Sequence, residues 1–171
     1  PSVSLPIRKL AAPVGIVTGA FAALAGWSMG ATFLRYFYQV PFGVSDPIFA
    51  RDLSFYFFTL PAHEAISLAL LGLLIVNLIG VTVVYLSQTK FEADAGKTDR
   101  PLIKLPVSGR SHLALLLGIL FLLIAWRTYI AMPQLLLTND GAFFGISYTD
   151  LHAVMPLLWA QLVVALLAAV V

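Results

Sequence analysis

The feature that most limits how this chain can fold is a series of long segments that contain no Asp, Glu, Lys or Arg. None of these residues occurs between Lys9 and Arg35, between Glu64 and Lys90, or after Asp150. A helix of about 20 apolar residues is long enough to cross the hydrocarbon core of a bilayer. The segments are apolar on all sides rather than on one face, as lipid-embedded helices are. The sequence therefore predicts helices that cross a membrane.

Four such spans are predicted, at approximately residues 12–34, 65–87, 113–132 and 156–171. They form one transmembrane region, 1–171. The chain begins with proline and ends inside an apolar run, so we expect it to be part of a longer protein. Only 11% of its residues are charged, whereas a soluble domain has about 25%. The predicted fold class is an all-α, multi-pass transmembrane helical bundle with short interfacial or re-entrant helices in the outer loops.

Basic residues in the connections predict the orientation, because loops rich in Lys and Arg stay in the cytoplasm. The connection 88–111 contains five of them: Lys90, Lys97, Arg100, Lys104 and Arg110. The connection 40–61 contains only Arg51, and 134–155 contains none. We therefore predict a cytoplasmic N-terminus and a cytoplasmic loop at 88–111, with outer loops at 40–61 and 134–155.

Both outer loops carry signals for helix starts. Asp46 followed by Pro47 fits an N-cap with proline at the first helical position. Asp52 or Ser54 fits the cap of a second short helix that ends before Pro61. In the other loop, Thr149 or Asp150 fits the cap of a helix that leads into the fourth span.

Two strings in these loops resemble a known family. Residues 41–61 read Pro-Phe-Gly-Val-x-Asp-Pro-x-Phe-x-x-Asp-x-Ser-Phe-Tyr-x-Phe-x-Leu-Pro, and 145–152 read Gly-x-Ser-Tyr-Thr-Asp-x-His. They are similar to signatures of Uncharacterised Protein Family UPF0182, large multi-spanning bacterial membrane proteins. One departure is Ala50, where members often have glycine. The resemblance implies a parent in the bacterial plasma (inner) membrane with further spans and a large extracytoplasmic part. It implies no reaction.

The polar side chains at the outer side form one candidate cluster. Arg127 lies near the outer end of the third span, where a charge is costly and often functional. The favoured expectation is structural, that it extends to the interface or pairs with an outer carboxylate; the alternative is that it lines a pathway. Asp46, Asp52, Asp150 and His152 could converge there for metal binding or acid–base chemistry. Capping is the favoured interpretation of all three carboxylates.

Asn77, near the middle of the second span, is the deepest strongly polar side chain. It could line a pathway, but the favoured role is a hydrogen bond between helices. Gly15, Gly19 and Ala23 repeat every fourth residue, as do Gly26 and Gly30, and small residues at this spacing allow helices to approach closely. We interpret them as packing positions.

Functional motifs are otherwise scarce. The chain has no cysteine, no hydrolase or metalloprotease signature and no phosphate-binding glycine loop, so we predict no metal and no cofactor. A net charge of +2 does not favour nucleic acid as a partner. The favoured function is a membrane anchor or scaffold in a larger membrane assembly, in contact with lipid and with the rest of the parent protein. The alternatives are transport or lipid handling near Asn77 and Arg127, and then an envelope- or lipid-acting enzyme.

Overall fold

A computed structural model describes residues 7–88, 107–139 and 145–170. Four helices dominate it: α1 Ile7–Phe37, α2 Leu60–Gln88, α3 Val107–Gln134 and α4 Met155–Val170. Strands are absent from the described ranges, so the predicted all-α class is confirmed there. Most of the predicted cytoplasmic loop, residues 89–106, lies outside the described residues.

Three helical stretches are long and apolar enough to cross a membrane: Phe55–Tyr85, Gly109–Leu137 and Asp150–Val170. The α1 helix bends by 53° between Gly15–Leu24 and Met29–Phe37. If these two halves together form one span, α1 is a fourth helix long and apolar enough to cross a membrane. Gly26 lies in this break, consistent with the low helix propensity of glycine.

Short irregular turns lead into two of the helices. The π-helical turn Phe55–Thr59 continues directly into α2, and the π-helical turn Asp150–Val154 continues into α4. A 3-10 turn, Leu135–Leu137, follows α3. The short helix expected to end before Pro61 therefore does not end there but runs on into α2.

Consecutive helices pack against each other: α1 on α2, α2 on α3, and α3 on α4. Two glycines mark close approaches. A Cβ at Gly118 would lie 3.1 Å from the carbonyl oxygen of Ala169 in α4, and one at Gly109 would lie 3.0 Å from the Tyr85 ring of α2. In contrast, Gly15, Gly19, Gly26 and Gly30 have no such neighbour within 4 Å, so within the described residues they do not pack on another helix.

The best-buried apolar cluster lies at the end of the bundle where α1 leads into α2. Tyr56, Leu60 and Ile130 form it, and Leu53, Phe55, Trp126 and Leu136 pack around it. This cluster joins the start of α2 to the end of α3. It supports residues 38–54, which we call the hairpin loop.

Candidate functional site

Asp46 organises the hairpin loop around a buried carboxylate. Its Oδ1 accepts hydrogen bonds from the backbone amides of Ile48 (2.9 Å) and Phe49 (2.6 Å), and its Oδ2 accepts from the amide of Arg51 (3.0 Å) and the hydroxyl of Tyr56 (2.7 Å). Pro47 has no amide hydrogen, so Ile48 is the first donor available. The expected short helix after Asp46 is instead a turn over residues 47–49, because the chain folds back towards Asp52.

Asp52 braces the two arms of the hairpin loop. Its carboxylate accepts from the amides of Phe42 (3.0 Å), Gly43 (2.8 Å) and Ser54 (2.8 Å). Ser45 and Asp52 form an isolated antiparallel bridge. The amide of Asp46 also donates to the carbonyl of Arg51 (2.9 Å). Both aspartates therefore act as acceptors for backbone donors within their own loop.

Hydrogen bonds to both carboxylates favour their charged forms. Burial raises the pKa of Asp46, but the bonds from Phe49, Tyr56 and other loop donors outweigh burial and leave that pKa below its ordinary value. The amide of Phe42 and the other donors lower the pKa of Asp52 from 3.8 to about 2. The Asp52 contribution to loop stability is therefore complete above about pH 4 and is lost as the pH falls through about 2.

Ala50 has a left-handed backbone, with φ of +53°. This region is costly for residues with a Cβ and is open to glycine. The departure from the family signature noted in the sequence therefore falls at a strained position.

Ala50→Gly is expected to stabilise the hairpin loop by about 1 kcal/mol, because it removes this strain. Hydrogen exchange of the Arg51 amide should slow roughly fivefold. The same substitution at exposed Ala23, in helix α1, should instead cost about 1 kcal/mol locally. Faster exchange at Arg51 in the Ala50 variant would contradict the strain argument.

Arg51 clamps the hairpin loop to α3. Its Nη2 donates to the hydroxyl of Tyr129 (2.6 Å), and its guanidinium lies 4.3 Å from the centroid of the Phe55 ring. In the sequence, Arg51 is only a charge in the outer loop, and neither Tyr129 nor Tyr56 is among the predicted site residues. Tyr56 lies in the predicted outer loop 40–61, which is rich in aromatic residues, and Tyr129 lies near the outer end of the third predicted span. These positions were the available sequence signal.

Arg127 contacts α2 rather than the outer carboxylates. Its Nη1 donates to the hydroxyl of Ser67 (3.2 Å), which donates to the carbonyl of Glu64 (2.9 Å). Ser67 is buried and Arg127 is half-buried. The expected pairing with Asp46, Asp52 or Asp150 is replaced by this relay between helices.

Asn77 bonds within its own helix. Its Nδ2 donates to the carbonyl of Leu73 (2.8 Å), one turn earlier, and the side chain is exposed on the surface of α2. The hydrogen bond expected between helices is therefore not made by this amide to another described helix.

Asp150 forms a reciprocal cap with Ser147 at the start of the helix leading into α4. Its Oδ2 accepts from the amide (2.9 Å) and hydroxyl (2.7 Å) of Ser147, whose Oγ accepts from the Asp150 amide (3.1 Å). This is a capping box, so Ser147 is the cap instead of Thr149 or Asp150. His152 stacks on Tyr148 with ring centroids 3.9 Å apart.

The predicted polar cluster is thus divided among separate structures. Asp46 and Asp52 share the hairpin loop, Arg127 joins α3 to α2, and Asp150 and His152 stay within the turn before α4. Among the described residues, no group of three or more His, Asp or Glu is placed to hold a metal ion. In the ranges that the structure describes, these side chains stabilise turns and helix contacts.

Comparisons with known proteins give one consistent family. A family model described as an uncharacterised protein family, UPF0182, matches residues 2–171. A UPF0182 protein of Cupriavidus necator is 40% identical over 96% of this chain, and one of Trichodesmium erythraeum is 37% identical over 91%. The chain spans only 18% and 16% of these relatives' lengths. No solved structure matches the chain.

Proposed function

Since the chain belongs to the uncharacterised protein family UPF0182, we propose that it is a membrane anchor and scaffold region of a larger assembly. It crosses the bacterial plasma membrane several times, with the N-terminus in the cytoplasm and the hairpin loop outside. Its partners are lipid, the remaining spans of the longer protein and that protein's extracytoplasmic part. The role is non-enzymatic.

The observation that carries the proposal is that the candidate polar side chains are used locally. Asp46, Asp52 and Asp150 accept hydrogen bonds from nearby backbone or hydroxyl groups, and Arg127 donates to Ser67. A site for chemistry needs groups directed towards a common space where a substrate can sit. These groups instead fix loops and helix contacts, as a scaffold requires.

The second support is the large uncovered surface of the helices. In the apolar 18-residue part of Phe55–Tyr85, only 11% is buried within this chain. In the corresponding part of Asp150–Val170, only 6% is buried. Lipid can cover apolar side chains, but an exposed carboxamide such as that of Asn77 favours a protein partner. The curated relatives are more than five times as long as the matched segment, which leaves ample chain to provide one.

A spin label at position 77 tests the assembly role. The 171 residues contain no cysteine, so Asn77→Cys is the one labelling site in this region once any cysteines elsewhere in the full-length protein are replaced by serine. In the full-length protein in nanodiscs, we expect the label to be shielded from both oxygen and a water-soluble nickel chelate. The matched control is the same label in the 171-residue chain alone, where oxygen should collide with it freely.

The three outcomes separate the scaffold role from the transport alternative. Shielding from both reagents supports a protein neighbour and the scaffold role. Access for the nickel chelate at mid-membrane would favour a water-filled pathway and the transport alternative. High oxygen access in the full-length protein would mean that lipid covers Asn77, and the assembly role at this face would be wrong.

A further inference from the structure

Large exposed apolar side chains lie in and beside the hairpin loop, and the rings of Phe42 and Phe57 bring the loop and the turn before α2 together, 6.0 Å apart between centroids. We define the interfacial patch by side chains from the end of α1, the loop and the turn before α2: Phe37, Tyr38, Val40, Phe42, Val44 and Phe57. Tyr38 is 81% exposed and Phe57 is 63% exposed. Scattered single apolar residues are normal on a protein surface, but a contiguous group marks an interaction surface.

The charged side chains of the hairpin loop have partners within the loop or on the adjacent helices. The carboxylates of Asp46 and Asp52 are occupied by backbone amides of the loop itself. The guanidinium of Arg51 lies against Phe55 and Tyr129. A surface with internally satisfied polar groups and outward aromatic rings suits the boundary between lipid headgroups and acyl chains.

The patch is also continuous with surfaces that belong to candidate spans. Phe37 is the last residue of α1, and Phe57 lies within the stretch Phe55–Tyr85. The Phe42 ring lies 6.0 Å from that of Phe57 and 5.8 Å from that of Phe58, measured between centroids. The loop therefore holds Phe42 beside the first turn of a span.

From this geometry we infer that the interfacial patch is seated in the membrane, at the headgroup–acyl boundary of the leaflet on this side of the bundle. The hairpin loop is then a lipid-embedded element rather than a loop in water. This inference does not depend on the assembly role, because it concerns a different surface and a different occupant. The competing occupant is the extramembrane part of the longer protein.

Single-cysteine spin labels at neighbouring positions test the inference. The full-length protein carrying Phe42→Cys is placed in vesicles of phosphatidylcholine and phosphatidylglycerol, and collisions with oxygen and with a nickel chelate are measured. Phosphatidylcholines labelled at known acyl positions calibrate depth. The matched control is Ser45→Cys, because Ser45 is an exposed polar residue of the same loop, in the Ser45–Asp52 bridge, and is not part of the patch.

We expect the ratio of oxygen to nickel-chelate access to be several-fold higher at 42 than at 45, with a depth in the headgroup or upper acyl region. Nickel access at 42 equal to that at 45 would place the loop in water and overturn the inference. Shielding of 42 from both reagents would indicate a protein cover and would also overturn it. Phe57→Cys provides a second label in the same patch if the Phe42 variant does not fold.

Discussion

Asp46→Ala is expected to unfold the hairpin loop while the helices remain. The substitution removes the acceptor for three amides and for the buried hydroxyl of Tyr56. Each unsatisfied buried group costs about 1–3 kcal/mol, although the amides can gain water once the turn opens. We expect a loss of about 3 kcal/mol in local stability, so hydrogen exchange at Ile48, Phe49 and Arg51 should accelerate by about 100-fold.

Tyr56→Phe is the matched control for this prediction. It removes one donor and leaves the three amide bonds to the Asp46 carboxylate intact, so a loss of about 1 kcal/mol is expected. Circular dichroism should report unchanged helix content in both variants. Unchanged exchange at the three amides of the Asp46 variant would show that the carboxylate does not hold the turn.

Gly118→Leu is expected to separate α3 from α4. The Cβ alone would lie 3.1 Å from the carbonyl oxygen of Ala169, and the remaining carbons of leucine have to displace the helix. Overpacking of this kind costs about 1–3 kcal/mol. Spin labels at exposed Leu115 and Val170 should move apart in distance measurements, and the denaturation midpoint should fall.

Two further variants test whether the effect of Gly118→Leu depends on side-chain size and on position. Gly118→Ala requires a shift of only a few tenths of an ångström, so it should have a much smaller effect. A Cβ at Gly19 meets no described neighbour within 4 Å, so in the 171-residue chain Gly19→Leu should raise helix stability by up to about 1 kcal/mol. Equal losses at positions 19 and 118 would contradict a specific close contact between α3 and α4.

The helices could be predicted from sequence because they follow from a local property, the absence of charge over many residues. The role of Asp46 as a cap was also accessible, since Asp-Pro is a local turn signal. The turn that follows Asp46 could not be predicted, because a turn and a short helix begin with the same local sequence. The return of the chain to Asp52 decides between them.

The sequence does contain a signal for the cap of the helical turn that leads into α4. Ser147 and Asp150 have the spacing of a capping box, which identifies Ser147 as the cap. Thr149 and Asp150 also have side chains suited to a cap, so residue type alone does not distinguish them from Ser147. The contact between Arg127 and Ser67 is different in kind, since it joins residues 60 positions apart. A single sequence does not contain the relative register of two helices.

The brace between Asp52 and the amides of Phe42 and Gly43 has a consequence for the order of folding. These partners are only 9 or 10 residues apart in the chain, and loops of about 10 residues close within roughly 10–100 ns. Residues 42–54 contain both halves of the brace and the turn around Asp46. We therefore expect this segment to fold early, before α2 packs against α3. The contact between Arg51 and Tyr129 of α3 would then form on a loop that is already folded.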